Sequence, residues 1–167
     1  EGVDRWITRV NSMAEFFPEL EVSPIADSDH ELLLEQICFG SRGARELKDK
    51  PVMPVLEDWL RPEQLAVMDD YMPERVELPS GRRARIRYGE SGRPILSARL
   101  QDIIGLTDAF KIGLGKLAVQ WEILAPNQRP VQLTDSLDGF WTGAYGEVRK
   151  QLAGRYPKHN WPLADDI

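Results

Sequence analysis

Residues 82–88 read Arg-Arg-Ala-Arg-Ile-Arg-Tyr, and no other stretch limits the fold of this chain as tightly. Successive side chains of a strand point to opposite faces. Arg83, Arg85 and Arg87 therefore share one face, and Arg82, Ala84, Ile86 and Tyr88 share the other. Leu78-Pro79-Ser80-Gly81 before this run and Gly89-Glu90-Ser91-Gly92 after it are turn sequences. The second turn predicts a hairpin between the arginine strand and Pro94–Ala98. Arg75–Pro79 reads as a further strand, and Lys116–Leu124 as the clearest later one. A turn at Ala125–Gln128 leads into a strand over Pro130–Leu133. Arg99–Leu106 either extends a strand or forms a short helix.

The first part of the chain has a different period. Trp6, Ile7, Val10, Met13, Phe16 and Phe17 fall at helical spacing, and Pro18 stops that helix. Glu31–Phe39 predicts a second helix, capped by Asp27, Ser28 or Asp29 and ended by Gly40. Shorter pieces follow at Ala44–Leu47 and Val52–Leu60, and Pro62 opens a helix through Met72. At the far end, Leu137, Phe140, Trp141, Ala144, Tyr145, Val148 and Leu152 mark one apolar face of a helix over Ser136–Ala153. Thr134 or Asp135 would cap it and Gly154 would stop it. The expected class is α+β. A helical part, residues 1–74, precedes a β-rich part, residues 75–167, with a small mostly antiparallel sheet or partly open barrel and a C-terminal amphipathic helix.

Charge follows the same division. Residues 1–78 carry 8 Lys and Arg against 18 Asp and Glu, whereas residues 79–167 carry 13 against 9. The net charge of −6 thus hides a basic second half, and the local field matters more to a polyanion than the total. Two readings stay open: a nucleic-acid surface, or two halves that attract each other. With 42% hydrophobic residues the chain can build a core, yet it has no apolar run near the roughly 20 residues that span a bilayer, so no membrane role is expected. Its one cysteine excludes an internal disulfide framework and suits the cytoplasm. The chain opens on Glu1 rather than Met and is read as a piece of a longer protein.

Catalytic and metal chemistry find little support. Gly113-Leu114-Gly115-Lys116 resembles part of a phosphate-binding loop, but Phe110 stands where the first glycine belongs and Leu117 where Ser or Thr would bind magnesium. One Cys and two His cannot make a zinc site. Cys38, between Ile37 and Phe39, reads as a buried small hydrophobe, and His30 as solvated surface. No enzyme, cofactor or metal is therefore expected within these residues.

Binding chemistry is better represented. Residues 82–99 hold six arginines and one acid, Glu90. Guanidinium groups repeating every two residues lie roughly 6.5–7 Å apart, a spacing that an extensible nucleic-acid strand can match. Arg83, Arg85 and Arg87 are the first candidates for phosphate contact. Arg155 and Lys158 in the tail Arg155-Tyr156-Pro157-Lys158-His159-Asn160-Trp161-Pro162 are the next. Tyr156 and Trp161 would either stack on bases or latch the tail onto the domain. Gly139, Gly143 and Gly146 would lie together opposite the apolar face of the last helix. Three glycines there, each costing about 1 kcal/mol relative to Ala, indicate that a partner approaches the backbone closely.

Four segments carry a resemblance: Leu78–Gly81, Ile95–Leu106, Ala125–Thr134, and the close from Gly139-Phe140-Trp141 to Gly154–Pro162 (GRYPKHNWP). In this order they resemble the C-terminal domain of the bacterial HrpB-type ATP-dependent helicases of the DEAH-box class. The resemblance is strong over residues 75–162 and weaker over 1–74. Ile104 and Thr107-Asp108 depart from the family, which tends to have Phe before Gly105 and Thr-Pro soon after it. The resemblance implies a parent helicase, acting on RNA rather than DNA, whose two-lobed motor lies outside these residues and binds ATP and magnesium. This chain would be its accessory domain, contacting single-stranded nucleic acid or docking on the motor. The alternative is a protein-interaction module that recruits a partner.

Overall fold

The computed structural model describes residues 2–89 and 92–167. Two compact units divide the chain, Glu1–Met72 and Pro73–Ile167.

The first unit is helical: α1 (Gly2–Phe16), α2 (His30–Cys38), α3 (Ala44–Lys48), α4 (Met53–Glu57) and α5 (Pro62–Tyr71). α1 buries Trp6, Val10 and Met13, spaced three and four apart, and gives way at Pro18 to a short 3-10 turn. Leu56, Met68 and Met72 join the same core. Arg9 is buried with them. Its Nε donates to the Met72 carbonyl at 2.5 Å and its Nη2 pairs with Asp69, so the charge is not stranded. Pro62 is the first residue of α5, where its missing N–H costs nothing, and the Gln64 side chain accepts from the Arg61 N–H at 2.9 Å.

One expectation fails in α2. Cys38 is exposed rather than buried, whereas His30 is exposed as expected. This short helix turns only Leu33 fully inward, with Ile37 one turn later half-buried, and Cys38 lies about 100° round from Ile37. Leu34 and Phe39 are exposed too, Phe39 to 84%.

The second unit holds β1 (Arg75–Glu77), β2 (Arg83–Arg87), β3 (Ile95–Arg99), α6 (Leu100–Ile103), β4 (Lys111–Ile112), β5 (Leu117–Ala118), β6 (Gln120–Leu124), β7 (Pro130–Thr134), α7 (Leu137–Thr142) and α8 (Tyr145–Arg155). Five strands form an open mixed sheet in the order β1-β2-β3-β6-β7. Neighbours run antiparallel except β3 and β6, which are parallel. The expected Gly89–Gly92 turn contains Glu90 and Ser91, which lie outside the described residues. Ala84, Ile86, Leu96, Trp121 and Ile123 are buried, together with Leu137, Phe140, Trp141 and Tyr145 from α7 and α8. Each fully buried large apolar side chain contributes about 1.5–3 kcal/mol.

Three further expectations are corrected. Lys116–Leu124 is two strands: β5 pairs with β4 in a separate ribbon, and beyond Val119 the chain joins the main sheet as β6. The last helix is also two. At Gly143 the backbone turns to φ −110°, ψ −91°, and a Cβ there would lie 2.9 Å from the Gly139 carbonyl oxygen. Gly139, Gly143 and Gly146 therefore do not line one continuous helix face. Finally, the caps differ. Ser136 Oγ accepts from the Gly139 N–H at 2.9 Å in place of Thr134 or Asp135. At the other end α8 runs past Gly154 to Arg155, because the helical conformation is disfavoured only at Tyr156, ahead of Pro157.

Candidate nucleic-acid interface

β2 leaves the Leu78–Gly81 turn, which the Gly81 N–H closes by donating to the Leu78 carbonyl at 2.8 Å. Its alternation then sorts the side chains as the sequence predicts: Arg83 and Arg85 are exposed, Ala84 and Ile86 buried. The register extends this face across the sheet in one row, Arg75, Arg85, Ser97, Glu122 and Leu133. Glu77 stands opposite Arg83. Neither Arg83, Arg85 nor Arg75 has an ion-pair partner among the described residues. Arg75 was not singled out from the sequence, since a propensity reading does not show which residue lies across from Arg85.

Arg87 is placed differently. Its Nη1 donates to Ser97 Oγ at 2.8 Å and to Glu122 Oε2 at 3.0 Å, and its Nη2 donates to Glu122 Oε1 at 3.3 Å. Ser97 Oγ donates in turn to Glu122 Oε2. Hydrogen bonding from Arg87 holds the Glu122 carboxyl below its ordinary range; burial pushes it up, and the Ser97 hydroxyl helps to lower it. The charge of Arg87 is thus largely committed within the sheet.

At the start of β2, Arg82 Nε lies 3.3 Å from Asp102 Oδ1, while Arg99 Nε lies 3.0 Å from Asp102 Oδ2. Asp102 is only 12% exposed, so one sheltered carboxylate orients two guanidinium groups.

The tail is latched. Tyr145 Oη donates to the Pro162 carbonyl at 2.8 Å, Arg149 Nε to the Trp161 carbonyl at 2.9 Å, and Trp161 Nε1 to the Tyr156 carbonyl at 2.8 Å. Tyr156 and Trp161 are half-buried by this arrangement, whereas Arg155 and Lys158 are exposed. Among the described residues no hydrogen bond or ion pair joins these two cations to the arginine strand. Gly113–Lys116, the loop-like sequence, forms the turn between β4 and β5, with Leu114 at φ +57°.

Residues 33–165 match the family described as ATP-dependent helicase C-terminal, HrpB type. The ATP-dependent RNA helicase HrpB of Escherichia coli K12 is 40% identical over 161 residues, an alignment covering 92% of this chain and 20% of that protein. The crystal structure of the E. coli DExH-box NTPase HrpB superposes with a TM-score of 0.82 at 33% identity, over 96% of this chain and 20% of that one. A second crystal structure, of the E. coli DEAH/RHA helicase HrpB, gives 0.70 at 32% identity over 95% and 20%. The chain spans about a fifth of the length of these relatives.

Proposed function

The chain belongs to the HrpB-type ATP-dependent helicase C-terminal family, and on that premise we propose that its second unit is a non-catalytic surface for single-stranded nucleic acid, RNA before DNA. ATP and magnesium would be bound, and ATP hydrolysed, in motor lobes of the same parent protein in the cytoplasm. The observation that carries the reading is the exposed, unneutralised pair Arg83 and Arg85, with Arg75 across from Arg85. Phosphate is the anion whose geometry a planar guanidinium matches with two bonds at once. Arg87 acts within the group as the residue that fixes the strand on β3 and β6. Arg155 and Lys158 extend the contact along the tail, with Tyr156 and Trp161 serving as its latch.

A second reading, docking on the motor or on a recruited protein, is favoured by the exposed Leu34 of α2 and Phe39 just after it. Tyr156, Trp161, Gly139, Gly143 and Gly146 are its other proposed residues. The two readings separate by NMR of arginine side chains. Adding decauridylate should shift the Nε–H signals of Arg83 and Arg85 and leave that of Arg9 in place. Unmoved Arg83 and Arg85 signals would favour docking.

A further inference from the structure

A cavity of about 290 Å³ opens at the end of the sheet where β2 begins and the parallel strands β3 and β6 finish. Arg82, Arg83 and Arg99 supply its polar wall, and Ala84, Ala98 and Leu124 are among its apolar lining. Three guanidinium groups face one carboxylate, Asp102, so the wall carries a net charge of +2. Asp102 engages the Nε edges of Arg82 and Arg99. Among the described residues the terminal nitrogens of Arg82 make no hydrogen bond, and the Arg83 guanidinium has no partner. Arg82 is therefore held in place by Asp102 with donors still available, which lowers the entropic cost of binding an anion there, and Arg83 adds a second free guanidinium.

We propose that this cavity is a subsite for one nucleotide of a single-stranded RNA. The phosphate lies on Arg82 and Arg83, and the nucleoside lies toward Ala84, Ala98 and Leu124. The inference rests on the reading of the β2 face as a strand-contact surface, because Arg83 belongs both to the cavity and to the exposed row that continues to Arg85. Size supports a single unit: the volume lies just below the roughly 300–1,000 Å³ usual for ligand pockets, leaving no room for a second nucleotide. Chemistry supports a phosphate joined to an apolar body, since a bare anion would use the arginine wall alone. The small side chains Ala84 and Ala98 leave the room on the apolar side.

Uridine monophosphate, inorganic phosphate, uridine and decauridylate are titrated against the protein and its R82Q and R85Q variants. Arg82 is 63% exposed, so R82Q should keep the thermal midpoint of the parent. Uridine monophosphate should bind more tightly than either phosphate or uridine. R82Q should weaken it about tenfold, the loss of one charge-assisted hydrogen bond, and R85Q should leave it unchanged. Phosphate binding as tightly as the nucleotide would overturn the nucleotide assignment. Decauridylate binding that R85Q weakens but R82Q does not, with no affinity for the nucleotide, would remove the subsite and leave the strand surface standing. Nucleotide binding lost in R82Q, with no decauridylate binding at all, would keep the cavity and remove the strand surface.

Discussion

Arg75 and Arg85 stand directly opposite each other in the β1–β2 register, both exposed and neither in an ion pair among the described residues. Like charges at such positions destabilise a sheet by a few tenths of a kcal/mol. Folding alone gives no reason for the pair, whereas a polyanion lying across both would be stabilised by it. Arg75→Ala should accordingly raise the urea midpoint slightly at low salt. That gain should shrink toward 1 M salt, where the Debye length is about 3 Å. The same variant should weaken oligonucleotide binding. Unchanged stability together with unchanged binding would show that the opposition has no consequence.

Glu122 links stability to acid. Its carboxyl is held below the ordinary range, first by the Arg87 hydrogen bonds. A carboxyl lowered on folding contributes stability that is fully present above its unfolded value and is lost as pH falls through the folded value. Denaturation midpoints of the parent should therefore fall below about pH 4–5. Glu122→Gln should be less stable at pH 7 and should lose part of this acid dependence. Parallel curves for parent and variant would contradict the Arg87–Glu122 account.

Tyr145 makes the opposite link. Burial raises its hydroxyl above the ordinary tyrosine value of 10.0, against a smaller lowering by Arg149. Stability from this group is fully present below the unfolded value and is lost as pH rises through the folded one. Tyr145→Phe removes that alkaline loss. It also removes the bond to the Pro162 carbonyl, at a cost of about 1 kcal/mol at pH 7. Limited proteolysis should then cut the tail after Arg155 or Lys158 faster than in the parent. An equal cleavage rate would mean that this bond does not hold the latch.

Gly143 is fixed by contact. A Cβ at this position would sit 2.9 Å from the Gly139 carbonyl oxygen, which accepts the Gly143 N–H at 3.0 Å. Gly143→Ala should lower stability by roughly 1–3 kcal/mol, the scale of forcing an added carbon into a packed site. Gly146→Ala has nothing within 4 Å of its Cβ and should be neutral or stabilising, since Ala is the better helix former. Equal effects at the two sites would contradict the break between α7 and α8.

The alternation over 82–88 made β2 legible, because sheet periodicity and charge coincide there. Pro18 and Pro62 marked helix limits for a reason internal to the chain, the fixed φ and missing N–H of proline, whereas the stop expected at Gly154 falls two residues later, ahead of Pro157. Partnership was harder to see. Nothing in Lys116–Leu124 announces that its two ends pair with different strands, and nothing near Arg87 announces that Ser97 and Glu122 take up its charge. The glycines of the final helix are misleading because helical spacing does not continue through Gly143, where the backbone leaves the helical dihedrals. Cys38 misled because an apolar neighbourhood in sequence is not one in space: α2 buries a narrower stripe than its composition offers.

The most direct test of the strand-contact surface is the salt dependence of decauridylate binding to the parent and to an R83Q/R85Q double variant. Single-strand binding loses about 0.7 in the slope of log affinity against log salt for each phosphate contact removed. The parent should bind at low ionic strength with a steep slope, and the double variant should bind more weakly with a slope shallower by about 1.4. Identical slopes, or no salt-sensitive binding by the parent at low ionic strength, would contradict the account.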